Sequence, residues 1–136
     1  MRKILVSGLI TGVVSGVLLL LASAYVESSA GIEIMTLLLN VDFIFERSPG
    51  LFMEIIFHLM VSVTLAIILK WLYVYKPRLY MPGLVTVGAV VTLLYFILSS
   101  LAVQTLDLNG YIGFMLWVIF HIGYLQALHL MFRLGL

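Results

Sequence analysis

Glu54, His58 and Ser62 stand four residues apart in the stretch LFMEIIFHLMVS. In a helix that spacing puts all three side chains on one face. A carboxylate one turn from an imidazole favours the charged ring, so Glu54 and His58 could begin a proton relay or a metal site. His121, in WVIFHIGYLQ, adds a third donor from another segment. Glu54, His58 and His121 are thus the metal-ligand candidates, and Glu54, His58, Ser62 and His121 the possible polar relay. His58 and His121 could also serve as the axial pair of a haem, with a depth mismatch of about 5 Å on a 1.5 Å rise per residue. The plainer alternative has Glu54 reaching the membrane interface and His58 satisfying a carbonyl or hydroxyl on a neighbouring helix. His129 and Arg133, again four apart, read as an edge pair meeting head groups.

Other chemistries are missing. There are no cysteines, which excludes disulfides, thiolate catalysis and Cys-ligated zinc or iron–sulfur clusters. No Gly-rich phosphate loop, nucleophile elbow or His-Glu-x-x-His motif is present, and no deep pair of carboxylates. A net charge of +1 offers no basic field for nucleic acid. These absences point away from an enzyme and from a resident cofactor.

The elements that must position these residues follow from composition. Of 136 residues 64% are hydrophobic and 10% charged, against about 45–50% and 25% in soluble domains. So little charge cannot cover the surface of a water-borne globule this small, so the excess faces lipid. A membrane span takes about 20 apolar residues. Four stretches qualify: about 4–26, 51–73, 82–103 and 111–132. The expected fold is all-α, a single-domain integral membrane four-helix bundle.

Charge orients it. Arg2 and Lys3 precede the first span, Lys70, Lys76 and Arg78 cluster between the second and third, and Arg133 follows the fourth. The other two connections hold Glu27, Glu33, Asp42 and Glu46 against Arg47, and then Asp107. Lys and Arg favour the cytoplasmic side, so both termini are expected there. Tyr25, Trp71, Tyr73, Tyr75, Tyr80 and Tyr111 lie near span ends, where interfacial rings settle. Lys70 is expected to snorkel to the inner surface. Arg2-Lys3 before an apolar run, with Ala22-Ser23-Ala24 beyond, imitates a signal peptide. The run exceeds the 7–15 residues usual for one and is expected to remain as a helix.

Ser48-Pro49-Gly50 is expected to open span two, Pro82-Gly83 span three with proline in the first turn, and Asn109-Gly110 to form the last turn. Between the first two spans, GIEIMTLLLNVDFIF is apolar but too short to cross. Glu33, Thr36 and Asn40 share one helical face, and Ile32, Met35, Leu38 and Leu39 the other. This reads as a short amphipathic helix over about 31–45 in the outer interface, the alternative being re-entry or packing on the bundle mouth.

The first span raises a packing question. SGLITGVVSG carries Gly8, Gly12 and Gly16 on one stripe, flanked by Ser7, Thr11 and Ser15. In lipid such a stripe makes a groove where another helix approaches closely. The occupant could be a helix of this chain or a second copy, or the stripe could face a pore or ligand.

In layout the chain resembles the YqhR-type membrane proteins of spore-forming bacteria, through GLITGVVSGVLLL, FHLMVSVTLAIILKWLY, MPGLVTVGAVVTLLYFIL and the closing WVIFHIGYLQAL with Gly123-Tyr124. The resemblance implies a small bacterial cytoplasmic-membrane protein and assigns neither a reaction nor a role for His121. The reading is therefore a non-enzymatic accessory subunit that packs with itself or a membrane partner. A small oligomeric transporter or proton conductor using Glu54, His58 and His121 is the alternative, and a haem or metal carrier the third.

Overall fold

The computed structural model describes residues 2–45 and 49–136. Glu46, Arg47 and Ser48, named above in the charge count and the opening of span two, lie outside the described residues. Five α-helices follow in order: α1 (Arg2–Ala30), α2 (Ile34–Leu38), α3 (Leu51–Tyr75), α4 (Pro77–Leu101) and α5 (Tyr111–Arg133), with one 3-10 turn at Asp42–Ile44. There is no strand among the described residues. α1, α3, α4 and α5 are each long and apolar enough to cross a membrane. At 1.5 Å per residue the shortest spans about 35 Å, against about 30 Å of hydrocarbon. This is a multi-pass membrane protein with an all-α bundle.

Local chemistry marks the breaks. Gly31, at φ +71°, ends α1 as its N–H turns back to the Glu27 carbonyl; a left-handed residue there is costly for anything but glycine. Lys76 alone separates α3 from α4. The residue before a proline is pushed out of the helical region, and Pro77 takes the first position of α4, where its missing N–H does no harm. α4 therefore starts five residues before the expected Pro82. Pro82 lies inside the helix and deprives the Arg78 carbonyl of one bond. Asn109 and Gly110, both at positive φ, make the last reversal as expected.

The helices run up-down-up-down. α1 packs against α3 and α5, and α4 against α3 and α5, so each neighbour is antiparallel. Both termini and the Lys76 turn share one end, with Arg2, Lys3, Lys76, Arg78 and Arg133. Glu27, Glu33, Asp42 and Asp107 sit at the other. The outward faces are oily: Leu5, Leu9, Leu21, Met60, Val85 and Leu93 are all exposed.

The segment after α1 is helical for a shorter stretch than 31–45. It bends across the bundle end as a lid. Ile32, Ile34, Leu37 and Leu39 are buried, whereas Thr36 is exposed. The Glu27 carboxylate accepts from the Thr36 N–H (2.9 Å) and hydroxyl (2.7 Å). Glu33 bonds the 102–110 connection: its N–H donates to the Asp107 carbonyl at 2.9 Å and its carboxylate accepts from the Asp107 N–H. Asn40 Nδ2 donates to the Leu98 carbonyl at 3.1 Å. These bonds hold the apolar side of the segment down on the bundle mouth.

The glycine stripe is where α3 lies. A Cβ built on Gly8 would stand 2.6 Å from Ile67 Cγ1 and 2.8 Å from its Cα; on Gly12, 2.6 Å from Val63 Cα; on Gly16, 2.8 Å from Ser62 Oγ. The occupant is thus a helix of the same chain, and the stripe is closed to a second copy. Thr11 and Ser15 are fully buried and fold their hydroxyls back onto the Ser7 and Thr11 carbonyls at 2.9 and 2.6 Å.

Because Gly12 meets backbone, Gly12→Ala should cost about 1–3 kcal/mol through overpacking. Gly16→Ala, facing side-chain atoms of Ser62 and Leu59 and no backbone atom, should cost less, and Gly123→Ala, with nothing within 4 Å, should be neutral. Thermal unfolding in mild detergent checks the ranking; equal stability of the Gly12 and Gly123 variants would refute the close approach.

Candidate functional site

Under the lid, between α3 and α4, lies a cavity of about 480 Å³. That is the size of a small-molecule site. Leu94 and Leu98 of α4, Phe57 and Leu65 of α3 and Leu38 of α2 give it oily walls. Val61 on α3 and Thr86 and Val90 on α4 line it and are also exposed. The cleft therefore opens on the face that meets hydrocarbon, with exposed Phe43 of the lid segment at its upper edge. Trp117, His121 and Tyr124 of α5 form the back. Toward the termini the bundle is solid: Ala66, Leu69, Tyr80, Leu128 and Phe132 are buried together. The cavity is blind.

All four relay candidates, Glu54, His58, Ser62 and His121, line this one cavity. His58 and Ser62 each turn to the backbone of α1. The His58 ring is hydrogen-bonded to the Gly16 carbonyl, and its Nε2 is shut in without a partner among the described residues. Glu54 lies one turn away on the same helix. Ser62 Oγ donates to the Gly12 carbonyl at 2.7 Å. Glycine explains both contacts: with no side chain to shield them, the Gly12 and Gly16 carbonyls accept donors from the facing helix.

Tyr124 completes a polar knot. Its hydroxyl lies 3.1 Å from both the Ser62 carbonyl and Ser62 Oγ, and it is hydrogen-bonded to Ser15 as well. Three helices meet there.

The metal candidates Glu54, His58 and His121 do not converge: among the described residues no group of three or more His, Asp or Glu side chains is placed to hold an ion. A haem fits no better, because His58 Nε2 is buried and its lone pair is out of reach of an iron in the cleft.

His121 is different. Its Nδ1 lies 2.7 Å from the Trp117 carbonyl. A carbonyl only accepts, so Nδ1 carries the proton and Nε2 keeps a lone pair. Nε2 has no partner among the described residues and, unlike that of His58, is not closed off. The ring sits 4.4 Å, centroid to centroid, from Trp117, whose Nε1 donates to the Val91 carbonyl at 2.8 Å.

Trp117 and Tyr124 are site residues that the sequence reading passed over. The signal was present: Trp117, His121 and Tyr124 share one helical face, and a tryptophan in mid-span, away from the interfacial belts, needs an internal acceptor. Two edge assignments also change. His129 Nδ1 meets the Tyr80 hydroxyl at 2.9 Å. Lys70 is buried; Nζ donates to the Leu136 carbonyl and stands 4.9 Å from the Phe132 ring centroid, so it folds inward where snorkelling was expected.

The chain matches no family profile, no curated protein and no solved structure.

Ser62→Ala and Tyr124→Phe should each lower stability by about 1 kcal/mol, the range of interhelical hydrogen bonds in membranes. The double variant should lose less than the sum, because both act in one knot. Additive losses in a double-mutant cycle would show two independent contacts.

Proposed function

We propose that this chain is a small membrane-embedded binding or accessory subunit, without chemistry of its own, whose lateral cleft receives an apolar molecule from the bilayer. The observation that carries the reading is the cavity of about 480 Å³: oily, blind, and open sideways between α3 and α4. Conduction is less well supported, since the apolar plug around Leu69, Leu128 and Phe132 leaves the relay candidates no continuation toward the termini. Self-association through the glycine stripe loses its support too, because α3 fills that stripe. A membrane partner would have to use another face.

We place the termini in the cytoplasm, on the gathering of Arg2, Lys3, Lys76, Arg78 and Arg133 at their end of the bundle. The resemblance in layout to YqhR-type proteins makes a bacterial cytoplasmic membrane our reading of the compartment.

Native mass spectrometry of protein extracted in mild detergent should show the wild-type chain carrying a neutral apolar adduct. Val87→Phe, which fills the cleft from α4, should lose it. An adduct equally retained by both would place the ligand elsewhere. Sidedness is testable in the cysteine-free chain: a membrane-impermeant maleimide should label Thr105→Cys in intact cells and Leu134→Cys only after permeabilisation. The reverse pattern would invert the topology.

A further inference from the structure

The back of the cleft has a definite hydrogen-bonding sign. His121 Nδ1–H is committed to the Trp117 carbonyl, so the accessible Nε2 can only accept. The Trp117 N–H is already given to Val91, and the Tyr124 hydroxyl is held in the knot with Ser62 and Ser15. The cleft thus offers an acceptor whose matching donor must come with the ligand.

Depth narrows the class. His121 lies ten residues into α5, about 15 Å from its start and near the middle of the hydrocarbon. A phospholipid cannot bring a charged head group there without heavy cost. A neutral molecule dissolved in the bilayer core can bring a hydroxyl.

Resting on the cleft reading above, we propose that the site takes a neutral, single-chain membrane alcohol or phenol, its hydroxyl donating to His121 Nε2 and its hydrocarbon filling the space between α3 and α4. Lateral entry lets such a molecule arrive without leaving the membrane. The cavity size suits one chain of modest length. The Trp117 ring beside His121 packs against the carbon that bears the hydroxyl.

Trp117 is also the reporter. The chain has two tryptophans, so Trp71→Phe leaves Trp117 alone. Protein of that background in nanodiscs is titrated with a long-chain alcohol brominated near the hydroxyl, with its methyl ether, and with a phosphatidylcholine carrying a brominated chain. Bromine quenches indole on contact. Saturable quenching by the alcohol is expected, about tenfold tighter than by the ether, which cannot donate. The phospholipid should quench only weakly. His121→Phe, with helical circular dichroism unchanged, should bring the alcohol down to the affinity of the ether, and His121→Gln, which keeps an acceptor, should recover part of the difference.

Equal saturable binding of alcohol and ether would overturn the hydroxyl assignment and leave the cleft reading standing. Phospholipid quenching as strong as the alcohol's would overturn it in favour of an ordinary acyl chain. A preference that survives His121→Phe would remove His121 as the acceptor and with it the proposal. Absence of saturable quenching by either alcohol or ether would overturn the proposal and the cleft reading together.

Discussion

Everything in this bundle hangs on the contact between α1 and α3. Lipid offers no hydrophobic force between helices, so association depends on close van der Waals approach and on interhelical hydrogen bonds. The stripe of Gly8, Gly12 and Gly16 supplies both at once. It lets Ile67, Val63 and Ser62 come within about a side chain's thickness of the α1 backbone. It also uncovers the carbonyls that His58 and Ser62 bond. The register follows directly: Gly16 faces Leu59 and Ser62, Gly12 faces Ser62, Val63 and Ala66, and Gly8 faces Ile67. The cost of glycine in an isolated helix in water is about 1 kcal/mol against alanine; here the helix is held by its lipid surroundings, and the missing side chain becomes the contact surface.

That contact also accounts for the cleft. α1 and α3 close on each other along the stripe, and α5 joins them through Tyr124. On the opposite side α4 meets α3 and α5 through isolated glycines, Gly83 against Leu72 and Gly88 against Leu125, which face leucine side chains and approach no backbone. Trp117 reaches across to the Val91 carbonyl and props that side of the bundle. The space left between α3 and α4 is apolar because the residues around it belong to helix faces that would otherwise meet lipid.

Much of the fold was readable in advance. The apolar runs, the single-sided positive charge and the Asn109-Gly110 reversal all carry over. What escaped did so for identifiable reasons. Two prolines, Pro77 and Pro82, compete to open the third span, and a proline signal does not say which one is a first helical residue. Over 31–45 the apolar positions resemble a helical face, but the chain stops being α-helical after Leu38, and the buried set follows the shape of the bundle mouth. Spacing put Glu54, His58 and Ser62 on one face. It could not say that His58 turns toward α1, because that depends on a carbonyl bared by Gly16 on another helix. The cavity itself is a volume between helices and has no local signature in the chain.

The reversal at Lys76 restricts how the molecule can deform. With a single residue between Tyr75 and Pro77, α3 and α4 are joined like the arms of tweezers. They have no slack to slide lengthwise past one another, so any widening between them is greatest far from the joint. At that far end the lid touches α4 through a side-chain amide, Asn40 to the Leu98 carbonyl. The pivot therefore stands at the charged rim beside the chain termini, and the jaws open beneath the lid, into the oil of the opposite leaflet.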